Sequence, residues 1–196
     1  MNLVIRKLSP ALAEDYVHFF DTTPHSDNVD EHKCYCVCWC GEDCEGKDFS
    51  TPAKRRAYAI QSIQNGTLQG YLAYDGDTVV GWCNANTKSD CLQCYSWRRF
   101  MGAVPVDGGA SPQTIKSIFC FAVSPAYRRR GIATQLLARV CADAAADGFA
   151  FAEAYPNRTF VDTEHDFMGP AALFETQGFT PYFESSEQLV LRKSLK

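Results

Sequence analysis

The sequence of 196 residues has no apolar run that approaches the roughly 20 residues of a membrane-spanning helix. It also lacks the apolar segment of a signal peptide near its start, and it has no linker rich in proline, glycine and serine that would divide it. Hydrophobic residues make up 46% of the chain, which is enough for one sizeable core. We therefore expect a single cytoplasmic domain over residues 1–196 that does not bind membranes.

Positive charge is scarce as well. The chain has 19 lysines and arginines against 23 aspartates and glutamates, for a net charge of −4. Nonspecific binding to nucleic acid or to an anionic membrane needs a positive field. The composition therefore argues against both partners, whereas a cationic partner would be attracted.

Periodicity and turn residues predict several elements before the middle of the chain. Residues 3–8 alternate as a strand, and Pro10 and Pro52 each open an amphipathic helix. Two strand candidates then flank Asp75-Gly76-Asp77, a good hairpin signal. The first half of the chain therefore reads as strand, two helices and a hairpin.

The junction between residues 118–123 and a following helix is the most informative feature. The apolar hexamer predicts a buried strand that ends at Ser124-Pro125, and apolar residues recur at helical spacing from Ile132 until Gly148 ends the pattern. Between them lies the turn Arg128-Arg129-Arg130-Gly131. A helix N-terminus presents unpaired N–H groups and a positive dipole end, and glycine lets the backbone approach a phosphate closely. The segment is therefore predicted to bind a pyrophosphate.

The spacing Arg128-x-x-Gly131-x-Ala133 resembles the acyl-coenzyme A signature of the GCN5-related N-acetyltransferases. Residues 171–179 resemble the family's closing motif, Ala-x-x-Leu-Tyr-Glu-x-x-Gly-Phe. The resemblance covers nearly the whole chain, and its least matched part is residues 22–52. It implies an α/β (α+β) fold with a mixed, mostly antiparallel central sheet flanked by helices. It also implies acetyl-CoA as co-substrate and transfer of the acetyl group to a primary amine by direct attack.

The same resemblance implies where the cofactor binds. Coenzyme A would lie between the strand at 118–123 and a second apolar strand at 149–155, with its pantetheine on the main chain of residues 121–123 and its pyrophosphate on the turn. The residues expected at the cofactor are Phe121, Ala122, Val123, Arg128, Arg129, Arg130, Gly131, Ile132, Ala133, Thr134 and Phe174.

Amide formation from a thioester requires a base for the ammonium, and the leaving thiolate is either protonated or departs unassisted. Glu153 is the predicted base, because a carboxylate in an apolar strand tends to have a raised pKa. Its alternative role is an ion pair with a nearby arginine, and His165 is the rival base. The family resemblance implies a tyrosine that acts as general acid at the position of Phe174. Phenylalanine cannot donate a proton, so Tyr155, Tyr182 or water is left as the proton donor.

Ten cysteines need an explanation. Cys34, Cys36, Cys38 and Cys40 alternate along the chain, and Cys44 follows. The alternation predicts an extended segment with its thiols on one face, where they pack in the core or line a pocket. Zinc binding and a redox or covalent role are the alternatives, and we expect no metal. The chain is thus predicted to carry a Cys-rich insert around 31–48 and, around 87–114, a long loop that covers the acceptor.

The acceptor itself, a small-molecule or peptide amine, has no recognisable motif. Two other functions stay open at this point: a non-catalytic acyl-CoA-binding regulatory module, and a zinc-stabilised interaction domain centred on the cysteine run. Apolar edge strands near the C-terminus are also compatible with a homodimer.

Overall fold

The computed structural model describes residues 2–40, 46–107, 109–162, 166–186 and 188–196. Seven strands form one sheet. The strands are β1 Leu3–Lys7, β2 Gly70–Asp75, β3 Thr78–Thr87, β4 Ile115–Val123, β5 Phe151–Ala154, β6 Thr180–Glu184 and β7 Leu189–Ser194. The helices are α1 Ala13–Thr22, α2 Pro52–Gln64, α3 Lys88–Cys91, α4 Tyr95–Phe100, α5 Ile132–Ala146 and α6 Ala171–Glu175. No helix in these described ranges is long and apolar enough to cross a membrane.

The strands lie in the order β1-β2-β3-β4-β5-β7-β6. Every neighbouring pair is antiparallel except β4 with β5, which are parallel. This arrangement confirms the predicted mixed, mostly antiparallel sheet flanked by helices. The predicted hairpin is present as β2 and β3, and the predicted helix at Pro52 is α2, where the Thr51 hydroxyl accepts a hydrogen bond from the Lys54 N–H at 3.3 Å.

Both faces of the sheet are covered by apolar clusters, because alternate residues of a strand point to opposite faces. On one face, Trp82 packs with Tyr16 of α1, with ring centroids 4.8 Å apart. On the other face, Ile118 packs with Leu136 and neighbouring residues of α5. We call these the α1 face and the α5 face.

The prediction that the cysteine run is an extended strand is wrong. Tyr35 and Cys36 adopt left-handed conformations with φ of 46° and 53°, and Val37–Trp39 form a 3-10 turn. The turn directs Trp39 into the core, where it stacks on Phe119 with centroids 4.5 Å apart. Aromatic packing therefore overrides the strand pattern in this segment. Cys44 lies outside the described residues.

The sequence predicted one long loop around 87–114, but this segment is not one long loop. It contains α3, α4 and a 3-10 turn at Pro112–Thr114. The Cys94 sulfur accepts a hydrogen bond from the N–H of Trp97 at 3.4 Å, so this cysteine caps the start of α4. A cysteine is not among the residues that usually signal a helix start, which is why the pattern read as a loop.

A buried ionic cluster joins α3, β5 and β7. The Glu153 carboxylate accepts hydrogen bonds from Lys88 Nζ at 2.9 Å, from Arg192 Nε at 2.8 Å and from the Tyr155 hydroxyl at 2.9 Å. Glu153 and Lys88 are fully buried, and Arg192 is 9% exposed. A buried carboxylate with two cationic partners is a structural anchor, because removal of either sign leaves an uncompensated charge in the interior.

We expect the Glu153→Gln change to lower the free energy of unfolding by about 3–5 kcal/mol, because Lys88 and Arg192 would lose their counter-charge. Urea unfolding measures the effect. The control is Glu184→Gln, which removes an exposed ion pair with Arg158 and should cost at most about 1 kcal/mol. Equal unfolding free energies for the two variants would show that the cluster is not an anchor.

Candidate active site

The site begins where β4 and β5 stop pairing. Their parallel register runs from Ile115 opposite Phe151 to Ile118 opposite Ala154. Pro156 follows two residues later and has no N–H for a further ladder bond, whereas β4 continues to Val123. The two strands therefore diverge, and a cavity of about 870 Å³ opens beside the free part of β4.

The cavity connects the two faces of the sheet. Its lining includes Phe19 and Trp39 from the cluster on the α1 face, and Ile132 and Leu173 from the α5 face. The volume lies in the range of small-molecule and cofactor sites. A ligand that enters on the α5 face can therefore extend between β4 and β5 to the α1 face.

The turn before α5 forms the basic end of this cavity. Arg129 and Gly131 have left-handed φ values of 62° and 79°, and the Gly131 carbonyl accepts the first helical hydrogen bond from Gln135 N–H at 3.0 Å. The N–H groups of the first turn consequently have no partner within the helix. Arg128 and Arg129 line the cavity beside them, and Arg128 Nε donates to the Val123 carbonyl at 3.2 Å. This geometry suits a phosphate-bearing ligand.

Most of the residues predicted to contact the cofactor line the cavity, and two do not. Arg130 lies outside the lining, with its guanidinium 5.4 Å from the centre of the Tyr127 ring. Phe174 is buried in the core between Phe121 and Phe179, with ring centroids 6.0 and 5.5 Å away. The cavity is lined by the predicted residues Phe121, Ala122, Val123, Arg128, Arg129, Gly131, Ile132, Ala133 and Thr134.

A family model described as the acetyltransferase (GNAT) family matches residues 37–179. The chain belongs to this family. This match confirms the family resemblance that the turn before α5 had indicated. As a member of the family, the protein is an acyltransferase. A search of curated proteins found no significant match.

Solved structures with the same fold include several acetyltransferases. An N-acetyltransferase from Staphylococcus aureus Mu50 is 13% identical with a TM-score of 0.56, and the match covers 100% of both chains. The GNAT domain of S. lividans PAT is 16% identical with a TM-score of 0.58, and the match covers 97% of this chain and 89% of that one. A phosphinothricin acetyltransferase from Sinorhizobium meliloti, solved with AcCoA, is 15% identical with a TM-score of 0.55, covering 99% and 89%. At these identities the likeness concerns the fold.

The residues predicted to catalyse the reaction are not brought together in this cavity. Glu153, Tyr155 and Tyr182 are all described, and all lie outside its lining. Glu153 is held by the ionic cluster, so its contacts favour the alternative role of a carboxylate paired with arginine. Burial, reinforced by the charge of Glu153, raises the pKa of Tyr155 well above its ordinary value, which weakens it as an acid. The Arg192 guanidinium stacks 3.4 Å from the centre of the Tyr182 ring. His165 lies outside the described residues.

Sequence reasoning missed His25, which lines the cavity just after α1. Its Nδ1 lies 2.7 Å from Asp27 Oδ1. A carboxylate at one ring nitrogen fixes the tautomer and leaves the other nitrogen as an acceptor. The residue falls in the part of the chain least matched to the family, and its only signal was the aspartate two positions later.

One grouping in the described part of the chain has the spacing of metal ligands: His25, Asp27 and His32, whose ligand atoms lie within 4.8 Å of one another. Both imidazoles bond to the Asp27 carboxylate, at 2.7 and 2.5 Å, and the pKa of Asp27 is held well below its usual range, chiefly by the bond from His32. The thiols of Cys34, Cys36, Cys38 and Cys40 do not form such a grouping within the described residues.

We expect that changing Gly131 to valine weakens coenzyme A binding at least tenfold, or about 1.4 kcal/mol. A Cβ on Gly131 would meet no protein atom within 4 Å, so the new side chain would occupy the space in front of the first-turn N–H groups. Isothermal titration calorimetry with coenzyme A measures the change.

Gly148, at the other end of α5, provides the matched control. It also has a left-handed φ, of 83°, with no protein atom within 4 Å of an added Cβ. Gly148→Val therefore carries the same backbone strain, about 1–2 kcal/mol, away from the cavity. It should bind coenzyme A like the unmodified protein. Unchanged affinity in the Gly131 variant, or an equal loss in both, would contradict the assignment of the turn.

We also predict no stoichiometric zinc at the cysteine run. The Cys40 thiol donates to the Val37 carbonyl at 2.9 Å, and the Cys36 sulfur accepts from Asn84 Nδ2 at 3.3 Å, which are contacts of packed thiols. The metal content is measured by elemental analysis of protein purified without chelator. A His32→Ala variant distinguishes zinc at the cysteines from any metal held by His25, Asp27 and His32. One equivalent of zinc that persists in this variant would show that the cysteines bind metal.

Proposed function

We propose that this GNAT enzyme transfers the acetyl group of acetyl-CoA to the primary amine of a small molecule or peptide. The observation that supports the proposal most is one continuous cavity that joins the basic turn before α5 to the α1 face of the sheet. Such a shape matches a long donor with a charged pyrophosphate at one end and a reactive thioester at the other. A cytoplasmic location is part of the proposal, because the buried cysteines Cys83, Cys120 and Cys141 are thiols, which a reducing compartment preserves.

The donor would bind by its two different ends. Its pyrophosphate would lie at Gly131–Thr134 beside Arg128 and Arg129, which supply N–H groups and charge. Its pantetheine would follow β4 from Val123 towards Cys120, on the edge that β5 leaves unpaired. The N–H of Phe121 on that edge already donates to the Phe167 carbonyl at 2.9 Å, and the Val123 carbonyl accepts from Arg128, so the Val123 N–H is the next main-chain donor for the pantetheine.

The acceptor would approach from the α1 face. Phe19, Phe20, Pro24 and His25 line this end of the cavity. An amine that attacks a carbonyl carbon must first lose a proton, and an imidazole oriented by a carboxylate is suited to take it. We assign this role to His25, oriented by Asp27, in place of Glu153.

The net reaction is tested by release of coenzyme A from acetyl-CoA in the presence of a panel of primary amines and amine-bearing peptides. We expect amine-dependent thiol release with at least one acceptor. Coenzyme A binding by calorimetry without release for any amine would instead favour a non-catalytic acyl-CoA-binding module. Absence of coenzyme A binding would contradict the proposed donor.

The role of His25 predicts a separate effect. His25→Gln should slow amine-dependent turnover by about 10² to 10⁴, with unchanged affinity for coenzyme A, because it removes a general base without altering the turn before α5. His32→Gln is the control, since His32 bonds to the same carboxylate but does not line the cavity. Equal kinetics for the two variants, across the pH range from 6 to 9, would eliminate His25 as the base.

A further inference from the structure

The grouping of His25, Asp27 and His32, which we call the histidine cluster, contains one imidazole more than the proposed mechanism uses. The Asp27 carboxylate is shared, because Oδ1 lies 2.7 Å from His25 Nδ1 and Oδ2 lies 2.5 Å from His32 Nδ1. The side chain of His32 is 60% exposed, and an exposed ionic contact contributes little to stability. The second imidazole therefore needs an explanation other than folding.

Two imidazoles and one carboxylate are a donor set for Zn²⁺. Imidazole nitrogen and carboxylate oxygen both bind this ion, and three protein ligands leave a fourth position open for a small molecule. The three ligand atoms of the histidine cluster already lie within 4.8 Å of one another. Bond lengths of about 2.0–2.1 Å put neighbouring ligands of a tetrahedral ion about 3.3 Å apart. The two contacts with Asp27 would therefore open by less than about 1 Å to admit zinc.

The chain on either side of the ligands is held in place. Asp27 Oδ1 also accepts a hydrogen bond from the Val29 N–H at 2.9 Å, which orients the carboxylate. Next to His32, Lys33 Nζ donates to the Asp21 carbonyl at 2.6 Å, and the Lys33 carbonyl accepts from Arg55 Nε at 2.7 Å. These contacts tie the segment to α1 and α2. Ligands that are ordered before the ion arrives lose less entropy when they bind it.

We propose that the histidine cluster is a Zn²⁺ site and that zinc bound there inhibits acetyl transfer. The metal site is argued from the geometry of the cluster, whereas its effect on turnover rests on the proposed function, in which His25 is the base. His25 lines the cavity, so the bound ion lies at the end where the acceptor approaches.

The position of one proton on His25 links the metal to turnover. A carboxylate only accepts hydrogen bonds, so in the metal-free protein His25 Nδ1 carries the proton and Nε2 is the acceptor that a base needs. Zinc takes the lone pair of Nδ1, and the neutral ring then holds its single proton at Nε2. The ring gains and loses no proton overall. It is now a donor towards the acceptor and cannot take the proton of the ammonium.

Isothermal titration calorimetry of the full chain with Zn²⁺ tests the metal site. We expect the unmodified protein to bind zinc with a Kd of about 10 μM or tighter. His32→Ala removes one ligand and should weaken this binding by about tenfold or more. His18→Ala is the matched control, because His18 is exposed on α1 and lies outside both the histidine cluster and the cavity lining. This variant should bind zinc like the unmodified protein.

Substitution with Co²⁺ distinguishes the histidine cluster from the cysteines. A cobalt ion held by cysteine has an intense thiolate charge-transfer band in the near ultraviolet, whereas imidazole and carboxylate ligands give only weak visible bands. We expect the unmodified protein with one equivalent of Co²⁺ to show the weak bands alone. The measurement needs no variant, so a His32→Ala protein that does not fold leaves the test intact.

The effect on turnover is measured by mass spectrometry of the acetylated amine, because zinc also binds the thiol of released coenzyme A. At saturating Zn²⁺ the unmodified protein should lose about tenfold or more of its rate, as expected when a base is blocked. A chelator should restore the rate. His32→Ala at the same zinc concentration should stay within about twofold of its own metal-free rate.

The zinc site is overturned if calorimetry detects no binding, if His32→Ala binds zinc as tightly as the unmodified protein, or if the cobalt form shows a thiolate band. Zinc bound at the histidine cluster without loss of turnover would overturn the inhibitory role. Failure of the proposed function is distinguishable, because the metal-free protein would then release no coenzyme A with any amine, while calorimetry and the cobalt spectrum still decide the metal site.

Discussion

The parallel pairing of β4 with β5 ends at Ile118 and Ala154, and the whole site depends on this ending. Below it, the Glu153 cluster ties β5 to α3 and β7 through buried charges. Just above it, the rings of Phe119 and Tyr155 stack with centroids 5.3 Å apart, although these residues no longer pair through the main chain. The strands are thus fixed where they meet and kept apart beyond that point. The cavity is the space that results, and its shape does not require a mobile element.

The net charge of −4 does not describe the site, because the charges that matter there are arranged locally. Arg128, Arg129 and the first-turn N–H groups make the α5 end positive, whereas the imidazole of His25, bonded to Asp27, lies at the α1 end. The proposed chemistry uses these ends separately. Phosphates would be held by fixed dipoles and arginines, and the amine would lose its proton to an imidazole that a neighbouring carboxylate orients.

Local signals were enough to predict the strand-turn-helix segment, the hairpin and α2, because glycine, proline and apolar spacing specify each of them within a few residues. The same reasoning failed where partners are distant in sequence. Glu153 was predicted as a base from its apolar strand, and its bonds to Lys88 and Arg192 could not be foreseen because these residues lie 65 and 39 positions away. The alternation of Cys34 to Cys40 looked like a strand, although left-handed residues and the packing of Trp39 decide its course. Nothing local connects Cys36 with Asn84, 48 positions away, so this contact could only be found in three dimensions.

The most direct measurement of the central claim is a crystal structure of the protein with coenzyme A. The pyrophosphate is predicted to accept hydrogen bonds from the main chain between Gly131 and Thr134, and the pantetheine to lie along β4 beside Val123. Coenzyme A bound elsewhere, or bound at the turn with its pantetheine directed away from β4, would contradict it.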